Sequence, residues 1–213
     1  MYLSNRDIKW AIDSKKLIVE PPPSDGFDET SIDLHLDDLK FAKVWDVEKM
    51  KKADLSGNKE GALLHLGTFD WERFSPEYLV VVPDETEPPA EKLVYRKGGA
   101  VHVRPGGFLL WTTKEWVGTP KDHPELISFV NAKSTKARTG LLVHFTAPTI
   151  HAGWEGNITL EIANLGPFVF VLKPGDAIAQ LTVATISSRP DPSLKKQKSA
   201  TYGQTGPEAP KHK

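Results

Sequence analysis

From Leu93 to Ile186 the chain spells short strand-like segments about every eight to twelve residues, with turn residues between them. Val101-His102-Val103, Phe108 to Thr112, Glu115-Trp116-Val117, Leu126 to Val130, Leu141 to Phe145, Asn157 to Ile162, Phe168 to Leu172 and Ile178 to Ile186 make up the series. Arg104-Pro105-Gly106 and Lys173-Pro174-Gly175-Asp176 punctuate it. Strands at this spacing must pair with one another and share one core. The pattern predicts a mainly β protein, a barrel or jelly roll, with one short amino-terminal helix.

The helix is expected just after Ser4, where Ser4 and Asp7 resemble a capping box. Ile8, Ala11 and Ile12 form its apolar stripe, and it should stop near Ser14 to Lys16. Leu17-Ile18-Val19 reads as a strand closed by Pro21-Pro22-Pro23, and the alternation of Ser31-Ile32-Asp33-Leu34-His35-Leu36 reads as a half-buried one. The stretch 44–93 is less regular. Lys49-Met50-Lys51-Lys52 reads as a solvated face, Leu79 to Val82 as a strand, and His65, Trp71 and Tyr78 as structural. It lacks the apolar periodicity for a core of its own, so it is a peripheral excursion from one β domain spanning 1–187. After Ser187 the composition turns to Ser, Pro, Lys, Gln and Gly, which predicts a mobile tail over 188–213 that a ligand could order as a lid.

Composition removes several function classes. A chain of 213 residues with 39% hydrophobic and 26% charged residues buries a real core. The net charge of −1 implies no bulk attraction to nucleic acid or a membrane surface, so any anion site is local. There is no cysteine, which excludes thiolate zinc sites and cysteine nucleophiles and fits a reducing compartment. The start of the chain lacks a signal-peptide layout, and no apolar run reaches about 18 residues, so a cytoplasmic protein is expected.

The chemistry concentrates between Asn131 and Leu165. Lys133, Ser134, Thr135, Lys136 and Arg138 fall within six residues, cations and hydroxyls suited to phosphate. Further on, Ile158-Thr159-Leu160-Glu161-Ile162 carries an acid in an apolar strand, costly to bury unless paired or used. A zinc-dependent deaminase needs a cysteine pair that this chain lacks, so His123-Pro124-Glu125 reads as a surface loop. There is no Gly-x-Ser-x-Gly elbow, no Walker motif and no Gly-x-Gly-x-x-Gly. The residues alone support an anion site at the cationic turn.

Ala132-Lys133-Ser134-Thr135-Lys136-Ala137-Arg138-Thr139-Gly140 resembles the Gly-Arg-Ser-Ser-x-Ala-Arg-x-Gly motif of dCTP deaminases, in the trimeric dUTPase superfamily. Asp7-Ile8, Ser31-Ile32-Asp33-Leu34, Arg104-Pro105-Gly106-Gly107-Phe108 and Thr113-x-Glu115 are similar to that family in order. So are Val143-His144-x-Thr146-Ala147, Gly153-Trp154-x-Gly156, Leu160-Glu161, Lys173 to Leu181 and Tyr202-Gly203-Gln204-Thr205-Gly206-Pro207. Any one of these strings is weak; in register over most of the chain they are specific.

The resemblance implies a homotrimer of distorted jelly-roll subunits of the dUTPase-like type, with active sites between subunits. It implies hydrolysis of dCTP to dUTP and ammonia, with no metal for the deamination and Mg²⁺ carried on the substrate triphosphate. Glu161 would be the general base, with Ser134 and Arg138 holding the attacking water and the developing charge. A base without a metal partner must be desolvated with a raised pKa and flanked by fixed donors. The Ala147 backbone would orient the water and Trp154 would floor the deoxyribose. Lys133, Thr135, Lys136, Ala137, Thr149, His151, Thr159, Leu160 and Gln180 would complete the nucleotide site, with Tyr202 and Gln204 closing over the phosphates. dTTP is a candidate inhibitor.

The chain departs from the family pattern at Thr149, where an Arg is usual, and at His151, where an Asp is usual. Lys133 replaces an Arg and loses its bidentate geometry. Thr201 stands near the place of a tail Lys, which Lys198 could replace. Three functions remain open on these residues: a dCTP deaminase, a dUTP pyrophosphatase or bifunctional enzyme, and a non-catalytic nucleotide-binding regulator.

Overall fold

The computed structural model of the chain describes residues 1–53 and 63–194. In chain order the elements are α1 (Asn5–Asp13), β1 (Ile18–Glu20), β2 (Ser31–His35), β3 (Lys43–Trp45), α2 (Val47–Ala53), α3 (Trp71–Tyr78), β4 (Leu79–Val81), β5 (Val94–Lys97), β6 (Ala100–Val103), β7 (Phe108–Gly118), β8 (Leu126–Ala132), α4 (Ser134–Ala137), β9 (Leu141–Leu142), β10 (Thr149–Ile150), β11 (Glu155–Asn164), β12 (Phe170–Leu172) and β13 (Ala177–Thr185). The protein is mainly β with a short amino-terminal helix, as its segment pattern predicts.

The Ser4 side chain caps α1, accepting from the Asp7 backbone N–H and donating to the Asp7 carboxylate at 2.8 Å. A nine-residue helix is marginal alone. Burial of Ile8 and Ala11 against the sheets supplies what propensity does not, at about 1.5–3 kcal/mol for a side chain such as Ile8.

Three antiparallel sheets enclose one core. The largest runs β4-β3-β7-β11-β9, with β1 also pairing β7; the second runs β10-β8-β13-β2, and the third β12-β6-β5. Leu109 and Trp111 of β7, Leu160 and Ile162 of β11, and Ile32 and Leu34 of β2 are fully buried where the first two sheets face each other. The Trp111 indole N–H is satisfied by the carbonyls of Asp37 and Asp38.

The segments expected at Phe108 to Thr112 and Glu115 to Val117 are one strand. Asn157 pairs Trp116 and Thr159 pairs Thr112, so Ile158 alone opposes three β7 residues. This bulge does not end the strand, because side chains take up its loose backbone groups. The Thr113 hydroxyl accepts from the Ile158 N–H at 3.0 Å and donates to the Glu115 carbonyl at 2.9 Å, and the Asn157 amide donates to the Thr113 carbonyl at 3.0 Å. Two other strands are shorter than the apolar runs suggest. β9 stops at Leu142, and β12 begins only at Phe170 because the Asn164 amide pins the preceding turn, donating to the carbonyls of Phe168 and Val103.

The irregular stretch contains two helices that its sequence does not announce. α3 carries Pro76 in its interior, yet Trp71 and Phe74 pack on Trp45 of β3 with ring centres 5.8 and 5.6 Å apart. Tertiary aromatic contact overrides local propensity here. α2 bears the lysine run, whose Lys49 donates to the Glu77 carbonyl and whose Lys51 pairs Glu48 on an exposed face. His123-Pro124-Glu125 is structural: Glu125 binds Lys16 at 2.9 Å and Arg189 at 2.6 Å, and these cations hold its carboxyl down to about 2. The expected tail is described only as far as Leu194; the lid residues lie outside the described residues.

Gly118 closes β7 against the start of β11. A Cβ there would lie 2.2 Å from the Trp154 carbonyl oxygen and 2.5 Å from the Glu155 Cα. The next residue holds the same turn, the Thr119 N–H donating to the Trp154 carbonyl and its hydroxyl accepting from the Gly153 N–H. Gly118→Ala is therefore expected to lower stability by about 1–3 kcal/mol, the cost of overpacking. Chemical denaturation at fixed protein concentration checks this; an unchanged midpoint would show that β7 and β11 do not need that approach.

Candidate active site

The strand pairing that makes the core also opens a cleft of about 290 Å³ along β10 and β11. Ala147, Thr149, His151, Trp154, Thr159, Leu160 and Glu161 all line it, seven residues brought together from 15 positions of chain. β10 pairs β8 with Thr149 opposite Phe129, which places Thr149 and Ile150 in one wall. A turn then carries the chain to β11: the Trp154 N–H donates to the His151 carbonyl at 3.1 Å, and Gly153 takes a φ of 81°, open to glycine at little cost.

Alternation along β11 decides where Glu161 points. Leu160 and Ile162 are buried in the core, and Glu161 lies between them on the opposite face, half-buried at the cleft. The acid is not sunk in an apolar strand, as the bare string Ile158 to Ile162 suggests; the strand is two-faced. Glu161 Oε2 accepts a hydrogen bond from the Phe145 backbone N–H at 3.1 Å, while Oε1 makes none to a described residue. Glu161 and Ala147 also line a second concavity, shared with Phe108, Phe145 and Thr146.

The cationic turn is a separate place. None of Lys133, Ser134, Thr135, Lys136, Ala137 and Arg138 lines the cleft. They form α4 and its caps, folded by Gly140 and Gly166, whose backbones approach so closely that a Cβ on Gly166 would lie 2.0 Å from the Thr139 carbonyl oxygen. Lys133 pairs with Asp33 of β2, and Lys136 donates to the Ala177 carbonyl. Ser134 and Arg138 are exposed, their side chains bonded to no described residue. Gln180 sits beside this turn on β13, opposite Asn131 of β8 and Asp33 of β2, and donates to Asp28 at 2.6 Å. One chain thus presents an acid in a cleft and, apart from it, a basic turn with Gln180. Tyr202 and Gln204 lie outside the described residues.

The sequence pattern of the dCTP deaminase-like family matches residues 2–186. The chain belongs to that family. The dCTP deaminase of Natronomonas pharaonis is 33% identical over 214 residues, spanning 98% of this chain and 93% of its own. That of Buchnera aphidicola subsp. Schizaphis graminum is 32% identical over 188 residues, 88% of this chain and 85% of its own. In fold, the chain is similar to the solved 2′-deoxycytidine 5′-triphosphate deaminase of Agrobacterium tumefaciens, with a TM-score of 0.55 at 16% identity, over 90% of this chain and 50% of that one. No helix among the described residues is long and apolar enough to cross a membrane.

For this member of the dCTP deaminase-like family, sequence reasoning passed over several residues of the cleft. Val130, Ile150, Asn157 and Ile158 line it, and so does His144, whose Nδ1 is buried without a described partner. His144 stands in the string Val143-His144-x-Thr146-Ala147, which was a signal; nothing local marks the others.

An ionic chain that runs from buried Glu115 to exposed Asp25 was equally hidden. Glu115, 6% exposed in its side chain, grips His35 twice, accepting from its backbone N–H at 2.9 Å and contacting Nδ1 at 2.7 Å. Asp25 contacts Nε2 at 2.8 Å. Burial pushes the His35 pKa down, but hydrogen bonds and charge from Glu115 and Asp25 outweigh it and leave it raised. The folded protein therefore holds this proton where the unfolded chain, at about 6.5, has released it. That stability is fully present below about pH 6.5 and is lost as pH rises through the higher folded value. The thermal midpoint is expected to fall over that window, and His35→Gln should flatten the fall. An equal fall in the variant would place the titration elsewhere.

Proposed function

We propose that the protein is an enzyme that hydrolytically deaminates dCTP, giving dUTP and ammonia. The observation that carries this reading is Glu161: a carboxylate at the wall of the cleft, one oxygen held by a backbone N–H and the other bonded to no described residue. A base fixed in this way is suited to take a proton from water.

The step runs through this chain's own groups. Water adds to C4 of the cytosine ring as Glu161 takes its proton and passes it to N3, where the C4–N3 double bond opens. Glu161 then takes the proton of the C4 hydroxyl, which becomes the carbonyl of uracil, and gives it to the C4 amine, which leaves as ammonia. Trp154 floors the deoxyribose, Ile158 and Leu160 exclude water, and the Ala147 backbone orients the attacking molecule. Thr149 and His151 sit at the rim, where they meet the base and the sugar.

Ser134 and Arg138 are assigned to the developing charge and Lys133, Thr135, Lys136, Ala137 and Gln180 to the triphosphate, with Tyr202 and Gln204 folding over it. Their separation from Glu161 within one chain favours supply by a neighbouring copy, in a homotrimer with shared sites. Binding the phosphates would exchange Asp33 on Lys133, and Asp28 on Gln180, for phosphate oxygens. Magnesium enters as part of the substrate, carried on its triphosphate. dTTP, with the same sugar and phosphates, is the expected competitor.

At His151 the chain lacks the carboxylate that would serve pyrophosphate hydrolysis, since a neutral imidazole offers one acceptor nitrogen and no negative charge. dUTP is thus the end product. Phosphorus NMR of a dCTP reaction should keep its triphosphate signals while ammonia accumulates, and Glu161→Gln should slow ammonia release by about 10²–10⁴-fold. Stoichiometric pyrophosphate and dUMP would establish a bifunctional enzyme, and no turnover of either nucleotide would establish a binding protein.

A further inference from the structure

The segment between β9 and β10 delivers a backbone donor to the Glu161 carboxylate, and strand pairing does not hold it. β9 ends at Leu142 and β10 begins at Thr149. Val143, 1% exposed, anchors one end in the core, and the Pro148 carbonyl, accepting from the Val130 N–H at 2.8 Å, anchors the other. Between these anchors Phe145 makes a hydrogen bond and a ring contact with described residues. Its N–H donates to Glu161 Oε2 at 3.1 Å, and its half-exposed ring meets Phe108 edge-on, with centres 5.9 Å apart at 64°.

Phe108 stands where such a brace is needed. It opens β7 and pairs Ala163 of β11, while Glu161 pairs Leu110, so Phe108 and Glu161 rise from the same face of adjacent strands, one diagonal step apart. Phe108, Phe145 and Glu161 line the second concavity together. Tilted aromatic contact of this kind prefers a definite geometry, which an aliphatic side chain does not impose.

We propose that Phe108 is a positioning residue for Glu161. Its ring holds Phe145 where the N–H captures Oε2, and this leaves Oε1 turned to the reacting water. The catalytic part of this inference rests on the deaminase reading; the structural part does not.

The test uses full-length protein labelled with ¹⁵N-phenylalanine, which carries nine Phe amides. The Phe145 amide signal, assigned by its loss in Phe145→Tyr, should lie downfield as expected for donation to a carboxylate, and Glu161→Gln should move it upfield. Phe108→Leu keeps apolar bulk and removes the ring edge; the signal should move upfield, and kcat on dCTP should fall about 10–100-fold, the scale of a misplaced group. KM should stay within about threefold, since nothing that binds substrate in both states is removed. Phe108→Tyr should restore both the signal and kcat. A Phe108→Leu protein with the wild-type Phe145 signal and wild-type kcat would overturn the proposal. If that variant does not fold, a wild-type Phe145 amide indifferent to Glu161→Gln would overturn it alone. Because the amide readout needs no substrate, a wild type that releases no ammonia from dCTP would remove the deaminase reading and leave the brace to be judged by NMR.

Discussion

The pairing of β7 with β11 is the constraint on which the rest depends. β7 also takes β1 and β3 as partners, so the largest sheet is built on it. The register with β11 decides which side chains enter the core and which enter the cleft. A slip of one residue would turn Leu160 and Ile162 outward and Glu161 inward, burying an unpaired carboxylate. The bulge opposite Ile158 and the close approach at Gly118 set that register at one end, and the brace of Phe108 on Phe145 acts at the other.

Much of this was legible in the residues because it is local. The strands have period two, the capped helix has its own signature, and the strings around Glu161 and Arg138 are contiguous. Seven expected site residues do share one cleft. What was not legible depends on residues distant in the chain. α3 exists because Trp71 and Phe74 find Trp45, and no local rule overrides Pro76. His35, Asp25 and Glu115 come from three segments as much as 90 positions apart. The bulge that joins two expected strands into one is visible only when Ile158 is set against its partners.

The same limit applies to the site itself. Read as a string, Lys133 to Arg138 and Glu161 look like one constellation. Folded, two of the cations already have oxygen partners, Asp33 for Lys133 and the Ala177 carbonyl for Lys136, while Arg138 is bonded to no described residue, and the turn stands outside the cleft. Oriented donors held before the substrate arrives are what stabilise charge during reaction.

The central claim is that a complete site takes Glu161 from one copy of the chain and Arg138 from another. Two variants, Glu161→Gln and Arg138→Ala, should each be inactive on dCTP. Equal amounts unfolded together and refolded should assemble at random, and about a quarter of the sites between subunits would then carry both native residues. Ammonia release at about that fraction of the wild-type rate is the predicted result. A mixture as inactive as its parents, in a preparation shown to contain mixed trimers, would put both residues in the same subunit and contradict the account.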